Sequence, residues 1–325
     1  MSENTTDPST SAPLTAFRLA AACTVLTVTM GSVVCATASG TSCPTWPGCH
    51  PGDVVPGWNL AQLIEFTHRV VAVVTGPVVL AAALLARRLP GQDRWVRILP
   101  WVALVAAFGS GFFGRMVILS HLSTPLGALD LFCALTSMTL TAIAAVRAGR
   151  AVRGAERPAC SPDPDAAPGL PVAPQRALAR RLAVAAVGVL ITMHVSAIFA
   201  AGSGSYTRCL GWPLWKTIDG DLHPWLGNAR LALAVLAAVL VVSTAVATIR
   251  YEPLRVWGVV FAALFGVEMM LGVDLRTGTA GPSVATAYSV TAVALLWSLG
   301  LFTAVAGTSP VGRPAGDREL TTSLR

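Results

Sequence analysis

Charged residues are scarce in this chain. Asp, Glu, Lys and Arg make up only 12% of its 325 residues, whereas hydrophobic residues make up 54%. The apolar residues fall in blocks of roughly twenty or more, which is the length that an α-helix needs to cross a bilayer. The composition therefore predicts a polytopic membrane protein and not a soluble domain.

Eight apolar blocks are long enough to form transmembrane helices. Backbone groups in lipid must be hydrogen-bonded within their own segment, and helices meet this requirement. The predicted helices span residues 15–38, 59–86, 96–118, 125–146, 178–201, 225–249, 256–274 and 284–307. The predicted fold class is an all-α membrane protein with eight transmembrane helices.

Lysine and arginine are absent from the loop between the first two predicted helices. Arginines follow the second, fourth and sixth helices instead, at Arg87, Arg88, Arg94, Arg147, Arg150, Arg153, Arg157, Arg176, Arg250 and Arg255. Because short cytoplasmic loops are enriched in basic residues, we expect both termini in the cytoplasm of a bacterial cell and Cys43, Cys49 and Cys209 outside. Topology accounts for the net charge of +7, so no nucleic-acid partner is expected.

Two stretches of the chain resemble each other. ATASGTSCPTWP at 36–47 and AAGSGSYTRCLGWP at 200–213 share small residues, Ser-Gly and Cys-x-x-Trp-Pro. A repeat this long indicates duplicated four-helix bundles, each able to enclose a cofactor. The predicted domains are a disordered tail (1–14), a first bundle (15–150), a proline-rich cytoplasmic linker (151–175), a second bundle (176–307) and a cytoplasmic tail (308–325).

Glu65 and His68 are ionisable residues inside the second predicted helix. They are three residues apart and therefore share one helix face. An ionisable residue within a membrane helix is costly and marks a functional candidate, and a neutral imidazole suits heme iron or another metal. The alternative is a hydrogen bond between the two side chains that only holds helices together.

Three cysteines, Cys23, Cys133 and Cys160, show no metal-binding spacing. Cys43 and Cys49 share one predicted external loop, and we expect a disulfide bond between them. Cys209 has no second-half partner at the equivalent spacing, where Trp215 stands. The expected bond is either a structural link or a redox-active pair, and the spacing leaves both roles open.

Ser-Gly-x-x-Cys-Pro-x-Trp-Pro-x-Cys, followed by Ile-Glu-x-x-His-Arg at a second helix, resembles the heme A synthase family over about residues 15–307. The resemblance implies an enzyme that oxidises the C8 methyl of heme O to a formyl group and so supplies heme A to terminal oxidases. It implies contact with membrane lipids, an electron donor of unknown identity, and heme O synthase or an oxidase assembly protein as a partner.

Family members offer one histidine from the second helix and one from the fourth helix of each half. The first pocket takes the substrate heme and the second a heme b cofactor. Glu65, His68, Cys43 and Cys49 match family positions. The other three histidine positions are aligned with Asp130 in the first half and with Asn228 and Tyr288 in the second.

These replacements affect the expected cofactor sites unequally. The resemblance predicts one heme in the first pocket, with His68 on the iron, Asp130 opposite, and Glu65 as a proton acceptor or polarising group. The second pocket has only Asn228 and Tyr288 as cofactor-binding candidates, and neither gives iron a nitrogen ligand. A second heme is therefore not expected there.

Two functions of different class remain open. One is a membrane oxidoreductase acting on heme O or another lipophilic substrate, and the other is a non-catalytic relative that binds heme, a quinone or an oxidase assembly partner. His194 in the fifth helix could reach a second-half cofactor or serve only in packing. Glu268 and Asp274 in the seventh helix suit either a proton path or a contact between helices.

Overall fold

The computed structural model describes residues 8–52, 54–89, 93–120, 123–156, 172–200, 209–213, 224–276 and 281–307. Eight long helices run through them: α1 (Pro8–Ala36), α2 (Leu60–Leu85), α3 (Arg94–Leu119), α4 (Thr124–Glu156), α5 (Val172–Ala200), α6 (Pro224–Ile249), α7 (Arg255–Arg276) and α8 (Pro282–Ala306). The described part of the chain is 86% helical and has no strand. Each helix is long and apolar enough to cross a membrane, which confirms the predicted fold class.

The helix boundaries differ from the prediction mainly at three ends. α1 begins at Pro8, so residues 8–14 of the predicted disordered tail are helical. α4 continues to Glu156 and α5 begins at Val172, so both enter the predicted linker at 151–175. Alanine and arginine, which are strong helix formers, extend α4 past the end of its apolar run. Residues 157–171 of the linker lie outside the described residues.

Local sequence signals define where several helices start. The Asn59 side chain accepts a hydrogen bond from the backbone N–H of Ala61 (3.0 Å) and caps α2. Asp93 caps α3 in the same way through the backbone N–H of Trp95. α8 begins at Pro282. Proline lacks a backbone N–H, but the N–H of a first helical residue has no partner within the helix, so no hydrogen bond is lost.

The helices form two rings of four. Consecutive helices pack together from α1 to α4, and α4 closes against α1; α5 to α8 repeat this order. The halves meet where α8 packs on α1 and α4 and where α4 packs on α5. α2 and α4 are therefore diagonal within the first ring, as are α6 and α8 within the second. The duplication suggested by the two motifs stays a prediction.

One end of the molecule carries the long connections. α1, α3, α5 and α7 finish there, and it is called the loop end below. Loops 43–49 and 209–213 both lie at this end, because they follow α1 and α5. The depth of a residue below the loop end is the number of residues between it and that end of its helix, multiplied by the helical rise of 1.5 Å per residue. Depths defined in this way can be compared between helices.

Candidate functional site

His68 lies inside the first half, about 12 Å below the loop end, because it is eight residues into α2. Its ring packs on α1 at Gly31, where an added Cβ would come within 3.1 Å of the ring Cε1. A larger residue at Gly31 would therefore displace the ring. The ring Nδ1 is buried and has no hydrogen-bond partner. This unpartnered nitrogen fits a group that binds a metal centre.

Asp130 lies on α4 at a similar depth but faces another helix. Its Oδ1 accepts a hydrogen bond from the Ser110 hydroxyl of α3 (2.5 Å). Its Oδ2 is 3.3 Å from the position that a Cβ on Gly114, also of α3, would take. No hydrogen bond or ion pair joins Asp130 to His68, which packs on α1. Because α2 and α4 are diagonal, His68 and Asp130 lie on opposite sides of the centre of the four-helix ring.

Glu65 forms a buried ion pair with Arg69 one turn further along α2. The Oε1 atom of Glu65 is 2.5 Å from Nη2 of Arg69, and the two side chains are 4% and 8% exposed. Its Oε2 accepts a hydrogen bond from the backbone N–H of Cys43 (2.8 Å). Both carboxylate oxygens thus have donors, as a buried charge requires.

Arg69 holds loop 43–49 on the end of α2. Its guanidinium donates hydrogen bonds to the carbonyl oxygens of Cys43 (2.6 Å), Thr45 (2.5 Å) and Gly48 (3.1 Å). The sequence predicts Glu65 as a proton acceptor or polarising group. In the structure its two oxygens accept hydrogen bonds from Arg69 and from the backbone of the loop.

Two disulfide bonds lie at the loop end. Cys43 is bonded to Cys49 (Cα–Cα 4.0 Å), the pairing expected from the sequence. Cys35 at the end of α1 is bonded to Cys209 (Cα–Cα 5.4 Å), and this bond joins the two halves. The sequence did not indicate it, because these cysteines are 174 residues apart. The sequence signal that could have indicated this bond is the even number of cysteines, four, near the predicted external ends of the helices.

Loop 209–213 is fastened to the second half by two side chains. The Tyr288 hydroxyl of α8 accepts from the backbone N–H of Trp212 (2.9 Å) and donates to its carbonyl (2.8 Å). Arg230 of α6 donates to the carbonyl of Gly211 (3.0 Å). Gly211 passes so close to the Tyr288 ring that an added Cβ would collide with it.

Asn228 and Arg230, two residues apart on α6, differ in burial. Asn228 is exposed on α6, whereas Arg230 is 0% exposed and reaches the loop as Arg69 does in the first half. Equating Arg69 with Arg230 places Ala229 at the position of His68. The arginine of the His-Arg pair, and not the histidine, is the signal that aligns the two helices.

The second-half positions aligned with the family histidines give heme iron no nitrogen ligand. Ala229 has no ligand atom, and the Tyr288 hydroxyl is engaged with both backbone groups of Trp212. The described residues also contain no group of three or more His, Cys, Asp or Glu side chains arranged to hold a metal ion. His194, the remaining second-half histidine in the described part, is buried on α5.

Known proteins with similar sequences decide the family. The heme A synthase of Symbiobacterium thermophilum is 30% identical to this chain over 233 residues, which cover 67% of this chain and 69% of that protein. The chain belongs to the heme A synthase family. The heme A synthase of Bacillus licheniformis is 22% identical over 224 residues, which cover 66% of this chain and 68% of the relative. No family model matches the chain.

The chain is a divergent heme A synthase family member and an integral membrane protein. Its divergence is uneven along the chain. The motif around Glu65, His68 and the loop cysteines is complete in the first half. In the second half, Arg230 also bonds to its loop, but Ala229 and Tyr288 stand at the positions aligned with the family histidines.

Proposed function

We propose that this protein is a membrane oxidoreductase that oxidises the C8 methyl group of heme O, or of a related lipophilic substrate, to a formyl group. Its membership of the heme A synthase family supports the proposal. The observation that carries it is His68, a half-buried imidazole whose Nδ1 is buried and unpartnered, directly below a cysteine-containing loop that an ion pair holds in place.

The first half would hold the substrate heme, with His68 as the protein ligand to its iron. Contact with Gly31 fixes the orientation of the imidazole, and the bond from Ser110 fixes Asp130. When bound, the heme supplies the redox-active iron. The protein contributes orientation and an apolar site between α2 and α4. We propose a single heme, because Ala229 and Tyr288 stand at the second-half positions aligned with the family histidines.

Loop 43–49 would cover the substrate and restrict access of water from the loop end. We propose that Glu65 acts by positioning this loop, in place of the proton-acceptor role predicted from the sequence. The arrangement of Glu65 and Arg69 supports this role, because together they bond to the backbone of Cys43, Thr45 and Gly48. A dry, closed site strengthens the electrostatic interactions that orient a bound substrate.

A non-catalytic role is the second candidate: a relative that binds heme, a quinone or an oxidase assembly partner. The engagement of both Glu65 oxygens favours it, since each oxygen already accepts a hydrogen bond from the protein. The replacement of histidine at three of the four family positions also favours it. Binding of heme without its oxidation would be the result expected from this candidate.

The test is heme A formation in bacterial membranes that contain heme O but no heme A synthase of their own. The full chain, His68→Ala and His50→Ala are expressed there, and extracted hemes are quantified by mass spectrometry. We expect heme A with the wild type and with His50→Ala, whose side chain contacts Gln62 at the loop, and none with His68→Ala. If the wild type binds heme O but forms no heme A, the enzymatic function is rejected in favour of the non-catalytic binding role.

We propose that both termini are cytoplasmic. Arginines at the end opposite the loop end support this orientation: Arg150 and Arg176 donate hydrogen bonds to the last carbonyls of α8, at Ala304 and Val305. A membrane-impermeant thiol reagent should label Cys43, Cys49 and Cys209 in intact cells after reduction. Strong labelling of Cys160, which lies outside the described residues, would reverse the orientation.

A further inference from the structure

The described part of the second half contains four buried ionisable side chains, one from each helix. They are His194 of α5, Arg230 of α6, Glu268 of α7 and Tyr288 of α8, and none is more than 1% exposed. Each lies six to eight residues from the helix end at the loop end, which places all four about 9–12 Å deep. Arg230 acts electrostatically on His194 and Tyr288, and Glu268 acts on Tyr288.

Several polar atoms at this level have no protein partner among the described residues. Both carboxylate oxygens of Glu268 are buried and unpartnered, as are Nδ1 of His194, Oγ of Ser289 and Nε1 of Trp212. Phe265, one turn before Glu268, packs on the Trp212 ring (5.2 Å between centroids), which brings α7 under loop 209–213. Buried polar groups are nearly always hydrogen-bonded, to water where the protein gives no partner.

The donor set argues against other occupants. Heme finds no nitrogen ligand at Ala229 or Tyr288. A metal cation would have only the Glu268 carboxylate and the His194 imidazole, since the described residues contain no group of three metal ligands, and the positive charge of Arg230 lies at the same level. Water needs only donors and acceptors around it, and Glu268, His194 and Ser289 provide them.

We propose that water occupies the interior of the second half beside Glu268, and that the Glu268 carboxyl group binds and releases a proton through this water toward the loop end. An unpartnered carboxylate is costly to bury, and a proton on the group removes that cost. The Ser289 hydroxyl and the Trp212 indole N–H, which have no protein partner among the described residues, and the Tyr288 hydroxyl can bond to this water. This proton-transfer site does not depend on heme oxidation in the first half.

Infrared spectroscopy of the full chain in detergent tests the proposal. A protonated carboxylic acid has its own C=O stretching band, which shifts when the proton is exchanged for deuterium. We expect a band that shifts within minutes in deuterated buffer and is lost in Glu268→Gln. The matched control is Glu252→Gln, because the Glu252 side chain is 83% exposed and its removal should leave the band unchanged.

Two infrared results would overturn the proposal. If wild type and Glu268→Gln show the same carboxylic acid bands, Glu268 does not hold the proton. If the band disappears in Glu268→Gln but does not shift in deuterated buffer over hours, the site is dry. The heme content of the first half is measured in the same samples, so failure of the proposed heme function is recognised separately.

A second measurement uses the wild type alone and stands even if Glu268→Gln fails to fold. X-ray radiolysis of water produces hydroxyl radicals that oxidise side chains beside internal water. We expect Trp212 and Tyr288 to be oxidised several-fold faster than Phe261 and Phe302, which are equally buried in apolar surroundings. Equal, low oxidation at all four residues would show that no water is bound near Glu268.

Discussion

The two halves fasten their loops in the same way but surround different chemistry. Arg69 bonds to three carbonyl groups of loop 43–49, and Arg230 bonds to the Gly211 carbonyl of loop 209–213. Next to Arg69 stands His68, whereas next to Arg230 stands Ala229. The comparison teaches that attachment of the loop by an arginine does not require a histidine beside that arginine.

The halves also differ in how their buried acids are satisfied. Glu65 has a donor for each oxygen, so its charge is compensated inside the protein. Glu268 has none among the described residues and is 0% exposed. In the first half, Glu65 is bonded to Arg69 and to the loop backbone. In the second half, Glu268 has no partner among the described residues, and we propose that water supplies one.

The sharpest test of this asymmetry is heme content. We predict that His68→Ala abolishes heme binding, while Tyr288→Phe retains the wild-type heme-to-protein ratio, because His68 presents an unpartnered ring nitrogen whereas the Tyr288 hydroxyl is bonded to the backbone of Trp212. The measurement is heme stoichiometry and absorbance of the purified variants. Loss of heme in Tyr288→Phe with unchanged content in His68→Ala would make the second half the heme site.

Removal of Arg69 should produce the largest loss of stability. Arg69→Ala leaves Glu65 as an unpaired buried charge, and breaking a buried pair costs about 3–5 kcal/mol. Arg255→Ala is the control, because the pair of Arg255 with Glu252 is exposed and worth about 0–1 kcal/mol. The free energy of unfolding in detergent is compared. Equal effects of the two variants would refute the loop-holding role of Arg69.

The bond between the halves should contribute next. Replacing Cys35 by Ser should lower the free energy of unfolding by about 2–4 kcal/mol, because a disulfide restricts the unfolded chain. Cys209→Ser and the double variant should match it, since all three lack the same bond. Cys133→Ser, a change at a free cysteine, is the control. A Cys43–Cys209 peptide in non-reducing mapping would show the pairing to be wrong.

Tyr288→Phe should have the smallest of these effects on stability. It removes the bonds to the backbone N–H and C=O of Trp212 and leaves both groups buried, at a cost of about 1–3 kcal/mol. Tyr251→Phe, a half-buried tyrosine near the opposite end of the bundle, should change the free energy of unfolding less. A neutral Tyr288→Phe would mean that Arg230 and the Cys35–Cys209 bond are enough to hold loop 209–213.

Helix positions were accessible from the sequence because lipid demands long apolar runs. α2 was expected at 59–86 and lies at 60–85, and α6 was expected at 225–249 and lies at 224–249. Polar ends were less accessible, since α4 continues through Arg150 and Arg153 without an apolar signal. His68 stood out because an imidazole within an apolar run is rare.

The sequence by itself determined the eight membrane helices, the family and the candidate role of His68, because each depends on residues close together in the chain. Only the tertiary structure decided that Cys35 pairs with Cys209, that Arg230 and not Asn228 enters the second half, and that Glu65 is held by Arg69 and the loop. These features depend on which face each helix turns inward and on contacts between distant segments. Periodicity and motif spacing carry no information on either.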